Sequence, residues 1–496
     1  MIRTGPFPSG TTARAPSRGP AIIAAVLACG LAALLVALLS VSPSGIGLLV
    51  VAAVAVLLVA MCWLTRTSLV GLACVLVFAG YALFNRSFAD LHVSAGPLPI
   101  YVGELLLLVG LPWALLTTPD LRRLLRKPWV LALGAWLAFG AVRLLAGGFD
   151  YGINALRDSA IWYYGLFTVV GYVLLRAMPR STWVWLLVPL FLAQTIVTAI
   201  ATFTGALSLP LPGYAFDVSP TADRADIMAV NLIGGATFFL LALRTAPWPV
   251  PRVLLGMLQL GLVPLLQVRS VIVAAVAVLG IIGFQRRWST LATVLVAPVL
   301  LVATLNVINL DVHGIRGELS VQSIVDRQLS TIPLAFQGGA STANPLTDTA
   351  AWRVYMWNTL WAETTSQVET LVFGLGFGPN LVADVGYSQA NTVNAPLRSP
   401  HDIFINVLAR CGVVGVVFWL LFLGVCLYAI LRGVQAGRRR NDQSGVDWLL
   451  WLLAYAITFF VAALFGVVLE SPFGAIPFYL IVGMALRQAD DLVVGL

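Results

Sequence analysis

Residues 403–431 read IFINVLARCGVVGVVFWLLFLGVCLYAIL, with Arg410 their single charged residue. A helix needs about 20 apolar residues to cross the hydrocarbon core of a bilayer. This run exceeds that length and contains no proline, so one helix can satisfy its backbone polar groups internally in lipid. Its two flanks differ. Before it stands Arg398-Ser399-Pro400-His401-Asp402; after it come Arg432, Arg438, Arg439 and Arg440. A basic run of that kind marks the cytoplasmic end of a span. The histidine-bearing end therefore faces outward.

The same reading extends in both directions. Of the 496 residues, 60% are hydrophobic and only 10% charged; a soluble chain averages roughly 25% charged and could not hide this much apolar surface. Apolar runs occur at 21–41, 45–64, 67–84, 98–117, 128–146, 158–178, 182–204, 226–245, 250–266, 268–285, 288–309, 403–431, 446–469 and 473–487. The fold class is all-α, a polytopic transmembrane bundle of about fourteen spans, with a range of about 12 to 14. Residues 1–20 read as a disordered cytoplasmic tail. Residues 21–309 hold about eleven of the helices, 310–401 form a long extracytoplasmic loop, and 402–496 hold about three more.

Charge sets the orientation. With both termini in the cytoplasm, about two thirds of the 29 basic residues fall in inside connections. Arg86, Arg143, Arg157, Arg224, Arg269, Arg316, Arg327, Arg353, Arg398 and Arg410 remain on the outer side. These run against the orientation bias. They either pair with acids such as Asp158, Asp223, Asp326 and Asp402 or share a role in binding an anion.

The long outer loop is not uniformly polar. Residues 319–336 and 350–364 carry apolar side chains at helical spacing, the second with Trp352, Tyr355, Met356, Trp357, Leu360 and Trp361. Both read as amphipathic helices lying on the membrane or the bundle.

The net charge of +8 is almost entirely arginine in short loops, with Lys127 the single lysine. Membrane orientation explains it, and nucleic acid is not an expected partner. Cys29, Cys62, Cys74, Cys411 and Cys426 all lie in apolar runs and read as small core residues. No metal-ligand spacing is visible, so neither a metal nor another cofactor is expected.

Three features stand out chemically. His401 sits where the long loop enters the membrane; an imidazole there either accepts a proton near neutral pH or caps the helix. His92 and His313 have no comparable surroundings. Arg269 stands with Gln267 where two spans meet at the outer face, a costly place for a guanidinium that faces neither a partner nor a polar cavity. Arg157 is similar, with Asp158 beside it as a local partner. Phe373-Gly374-Leu375-Gly376-Phe377-Gly378 is glycine-rich but follows no strand of a βαβ unit. It suits close backbone approach to another element or a ligand, not a dinucleotide site.

Arg398-Ser399-Pro400-His401, the following apolar stretch and Gly412-Val413-Val414-Gly415 resemble the O-antigen ligase and polymerase superfamily of membrane glycosyltransferases. Arg353, Trp357 and the glycine run are similar to further elements of that family, as is Arg269-Ser270 opening a helix. The likeness covers 269–415. Asp402 departs from it, standing where the family has asparagine, and the span count exceeds the usual twelve or so. The resemblance implies a metal-independent enzyme in a bacterial cytoplasmic membrane, with its active site on the outer face. Its donor would be a glycan on a polyprenyl diphosphate, its acceptor a glycan or lipid hydroxyl, and membrane lipid its surroundings. It further implies His401 as catalytic base, with Arg269, Arg157, Arg353, Arg398, Gly376 and Gly378 binding substrate. Polymerase and ligase remain open alternatives. A lipid-linked glycan flippase or other transporter is the competing class, and Glu104, inside a span, is the residue it draws on.

Overall fold

In the computed structural model the described residues are 69–95, 98–204, 224–244, 249–284, 345–382 and 398–495, with isolated positions between 288 and 318. Helix α1 (Leu69–Ala89) leads through a hairpin of β1 (His92–Ala95) and β2 (Leu98–Tyr101) into α2 (Val102–Thr117). Short α3 (Leu121–Leu125) precedes α4 (Pro128–Tyr151). Then α5 (Ile153–Asp158), α6 (Ala160–Tyr163) and α7 (Phe167–Ala177) follow almost without a break, and α8 spans Arg180–Thr204. Helix α9 (Ala225–Thr237) continues as a wide turn over Phe238–Ala242, followed by α10 (Pro249–Leu265) and α11 (Arg269–Phe284). The C-terminal part has α12 (Pro345–Thr365), α13 (Val368–Phe373), α14 (Ile403–Arg439), α15 (Gln443–Ala463) and α16 (Pro472–Val494).

Helices stand where the apolar runs between 67 and 285 and beyond 403 predict them. Seven segments of the described chain are long and apolar enough to cross a membrane. Helices α2 and α10, at 16 and 17 residues, are shorter apolar helices. The runs at 21–41 and 45–64 lie outside the described residues, as do most of 288–309 and the amphipathic segment at 319–336.

Helix α16 packs against α7, α14, α15 and α1. Its crossing with α7 is close enough to demand glycine on both sides. A Cβ at Gly171 would meet the Leu480 carbonyl, and one at Gly483 the Thr168 carbonyl. In a bilayer, where lipid competes for apolar surface, such small-residue contacts let backbones approach and gain dispersion energy. At the other pole from His401, Lys127 pairs with Asp490 at 2.6 Å, and Arg487 pairs with Asp491. These are basic residues that the charge rule assigns to the cytoplasm.

The segment 350–364 is helical, as its spacing predicts. It forms most of α12, whose Met356 and Leu360 bury against Leu381, Val382 and Ala409. Tyr355 and Trp361, by contrast, are more than half exposed.

Candidate functional site

The N-termini of α9, α14 and α16, the C-terminus of α15, helices α12 and α13 and the glycine run all meet at one pole. What joins them begins with a break in α14. Gly412 takes φ 65° and ψ −170°, a conformation open to glycine, and interrupts the helix about two and a half turns inside its apolar run. Interruption frees the carbonyls of the preceding turn. The glycine run takes them up: Leu375 N–H donates to Ala409 O at 2.6 Å, and Gly376 N–H to Arg410 O at 3.0 Å. Contact is so close that a Cβ at Gly374 would strike the Arg410–Cys411 peptide, and one at Gly412 the Val372 carbonyl. The Arg143 guanidinium adds a bond to the Gly374 carbonyl at 2.9 Å.

Asp158 sits at the centre of an ion cluster. Arg398 holds it at two points, 2.8 and 3.3 Å, and Arg410 reaches the same carboxylate at 3.0 Å. Asp158 is 6% exposed and Arg410 3%. Charges this buried persist only when paired and hydrogen-bonded. The remaining valences are met: Gly378 N–H donates to Asp158, Arg398 also donates to the Gly378 carbonyl, and Arg410 to Asn406 Oδ1 at 3.0 Å. Two guanidiniums to one carboxylate leaves the cluster positive.

His401 stands beside this cluster in left-handed backbone, φ 58°. For a residue with a Cβ that costs about 1–2 kcal/mol, so the surroundings must hold it. Ser399 does so twice. Its hydroxyl accepts from His401 N–H at 3.0 Å, and its carbonyl lies 3.0 Å from His401 Nδ1. A carbonyl cannot donate, so Nδ1 carries the hydrogen and Nε2 the lone pair. Trp357, on α12, fixes the neighbouring Pro400 carbonyl at 2.8 Å. Burial, reinforced by the positive charges of Arg353 and Arg224, pushes the imidazole pKa down to about 4. At neutral pH the ring is uncharged.

Arg353 donates to the Phe465 carbonyl at 3.2 Å, and Arg224 pairs with Asp226 at 2.8 Å while stacking over Phe473. Asp402 caps α14, its Oδ1 accepting from Ile405 N–H at 2.9 Å. Glu470 lies in the connection between α15 and α16, and burial raises its pKa to about 8. No cluster of His, Cys, Asp or Glu able to hold a metal occurs among the described residues.

The structure thus brings His401, Arg353, Arg398, Gly376 and Gly378 to one pole. Arg398 and Gly378 meet through Asp158, and Gly376 meets α14. Arg157 lies exposed on α5, and Asp158 reaches Arg398 and Arg410. Arg269 opens α11 two residues after Gln267, which has φ 50°; the Arg269 side chain lies outside the described residues. Several outer arginines follow the pairing alternative: Arg86 with Asp90, Arg224 with Asp226, and Arg398 and Arg410 with Asp158. Sequence reasoning passed over Glu470 and Asp226. The available signal was an acid, Glu470, in the short outer gap between two apolar runs.

A bundle of apolar helices with a half-buried imidazole and guanidiniums gathered at one end defines a polytopic membrane protein with a polar site at one pole. Residues 253–420 match the O-antigen ligase family, and over that segment the chain is O-antigen ligase-like. The match takes in α10, α11, α12, α13, His401 and the first half of α14, and ends before Glu470. A search of curated proteins finds no match. With the apolar helices, that match supports an O-antigen ligase-like membrane protein.

Proposed function

We propose that the protein transfers a glycan from a polyprenyl-diphosphate lipid to a hydroxyl on a glycan or lipid acceptor, at the outer face of the cytoplasmic membrane. The observation carrying this reading is His401: an uncharged imidazole, held by Ser399 with its lone pair on Nε2, in the field of Arg353 and Arg224 and within the O-antigen ligase-like segment.

The chemistry needs those parts. An acceptor hydroxyl is a poor nucleophile until its proton leaves; Nε2 takes it as the oxygen bonds to the anomeric carbon. The carbon–oxygen bond to the diphosphate breaks, and the electron pair departs with the diphosphate. Guanidiniums facing that growing charge lower the barrier, and they keep their own charge at any working pH. Arg353 and Arg269 are the donor ligands in this scheme, with Arg224 and Arg157 as further cationic groups. Arg398, Gly376 and Gly378 support the scheme by shaping the wall of the site through Asp158 and α14. Residues from outside the matched segment, Asp158 and Arg224, complete it.

The transporter reading rests on Glu104. There, however, the carboxylate accepts hydroxyls from Tyr163 at 2.9 Å and Tyr164 at 2.6 Å, bonds that tie α2 to the α6–α7 region. The deciding experiment reconstitutes purified protein in proteoliposomes with a polyprenyl-diphosphate oligosaccharide and an acceptor glycan. Glycosylated acceptor and free polyprenyl diphosphate support transfer. Donor that crosses the bilayer unchanged, with no product, supports the flippase.

A further inference from the structure

Arg143 has no part in the scheme above, yet it is a guanidinium set two turns inside the C-terminal end of a spanning helix. That helix, α4, lies at the edge of the bundle: only 22% of its apolar stretch is buried. Val142 and Ala146, on one flank of Arg143, are exposed, as side chains facing lipid are. A charge at such a place is costly and marks a functional site unless a partner compensates it. No carboxylate pairs with Arg143 among the described residues. Its one hydrogen bond there runs from Nη2 to the Gly374 carbonyl at 2.9 Å. Nε is buried without a partner, whereas Nη1 carries no bond and is not buried.

The surroundings add positive charge faster than negative. One stripe of α4, residues 143, 147 and 151, follows the glycine run. Arg143 reaches Gly374, a Cβ at Gly147 would meet the Phe377 carbonyl at 2.5 Å, and one at Gly378 would strike Tyr151. A Cβ at Gly376 would lie 3.2 Å from Arg143 Nη2, so a glycine there leaves the guanidinium uncrowded. Two more guanidiniums donate to the same stretch of backbone, Arg398 to the Gly378 carbonyl and Arg410 to the Pro379 carbonyl. Asp158 is the one carboxylate paired with any of the three among the described residues, and it is shared by Arg398 and Arg410. The surplus charge sits with Arg143, on the side that faces lipid.

We infer that Arg143, beside the glycine run, binds the phosphate of a membrane lipid whose chains lie along the exposed flank of α4. A phosphate has the charge to offset the surplus and oxygens that accept from Nη1 and Nη2. A lipid tail covers the apolar surface at Val142 and Ala146, which a free anion would leave bare. A bilayer phospholipid and a polyprenyl diphosphate share this chemistry. The site rests on the glycosyl-transfer reading only for calling the second of these a donor.

The test captures the lipid in place. In a background with the five native cysteines replaced by alanine, a benzophenone is attached at Ala146→Cys, one turn from Arg143. The purified, full-length protein in detergent is irradiated with phosphatidylglycerol, undecaprenyl diphosphate or undecaprenol, and mass spectrometry counts the captured lipid. At least one phosphate-bearing lipid should be captured with an affinity about 10–100-fold above that of undecaprenol, the worth of a charge-assisted bond. Adding Arg143→Gln should remove that preference and leave undecaprenol capture unchanged; Arg143→Lys should keep part of it. Preference for the diphosphate alone identifies a donor-type occupant, and preference for phosphatidylglycerol as well identifies bilayer lipid; either supports the site. A preference that survives Arg143→Gln overturns it, as does an equal loss for all three lipids, which marks Arg143 as a structural staple of Gly374. If Arg143→Gln does not fold, the parent's preference carries the test, and equal capture of all three lipids overturns the site. Capture needs neither acceptor nor turnover. Phosphate-dependent capture without glycosyl transfer therefore sinks the proposed activity alone, whereas normal transfer with indifferent capture sinks the lipid-phosphate site alone.

Discussion

Arg398 and Asp158, 240 positions apart in the chain, grip each other at two points, with Nη2 2.8 Å from Oδ2 and Nε 3.3 Å from Oδ1. The pair ties the polar segment before α14 to the end of α5, and Arg410 completes it from within α14. Removing the carboxylate would leave two guanidiniums facing one another in a buried place. Asp158→Ala should therefore destabilise the protein by about 3–5 kcal/mol, the usual consequence of stranding a buried charge. Thermal unfolding in detergent measures this. A midpoint equal to the parent's would show that water or lipid headgroups satisfy both arginines.

His401→Ala should lower turnover by about 10²–10⁴-fold, the ordinary worth of a positioned base, while donor affinity stays nearly intact. Arg269→Ala should weaken donor binding and turnover together. Arg269→Lys should restore only part of both, because an ammonium lacks the planar fork that grips two phosphate oxygens. Donor affinity and turnover of reconstituted, folded variants decide the matter. Undiminished turnover in His401→Ala would remove the base from the mechanism.

The low pKa of His401 has a consequence for pH dependence. An ordinary histidine is half protonated near 6.5, whereas His401 holds its proton only below about 4. A rate limited by this base should therefore be level from about pH 5.5 upward instead of rising through 6.5. Stability follows the same sign. The unfolded chain binds the proton first, so this group's contribution is fully present above 6.5 and is lost as pH falls from 6.5 toward 4. A rate that climbs tenfold between pH 5.5 and 7 would contradict the half-buried, neutral imidazole.

Gly412→Ala places a methyl group on the Val372 carbonyl and forces a side chain into φ 65°. That backbone, with ψ −170°, is a region essentially reserved to glycine and alone costs a side chain about 1–3 kcal/mol. The change should also straighten α14 and displace the glycine run, lowering both the unfolding midpoint and activity. Gly424→Ala, in the same helix with open space around it, is the control and should be neutral. Equal behaviour of the two variants would show that the break in α14 is dispensable.

Topology can be read with cysteine labelling. In a background with the five native cysteines replaced by alanine, a cysteine at Ser341 should react with an impermeant thiol reagent in intact cells, and one at Asn441 only after permeabilisation. Reversed labelling would invert the orientation drawn from the basic residues.

Much of the bundle was legible residue by residue. Helices such as α14 and α15 were visible because lipid imposes a local rule: about twenty apolar residues in sequence, with every backbone group satisfied inside the helix. The basic run at Arg438–Arg440 and the lone histidine before Ile403 were local signals too. So was the aromatic spacing of α12, although Tyr355 and Trp361 remain exposed, since spacing marks a face without naming what covers it.

The sequence alone therefore determined the membrane-spanning class, the positions of most helices, and His401 as the imidazole at a helix entrance. Only the tertiary structure decided which of the outer arginines meet carboxylates and which surround the base. Arg157 is next to Asp158 in the chain, yet Asp158 holds Arg398 and Arg410. The reason is physical. Spans are selected by burial in lipid, which acts on consecutive residues, whereas ion pairs and hydrogen bonds act over a few ångströms between residues that only the packing of helices brings together.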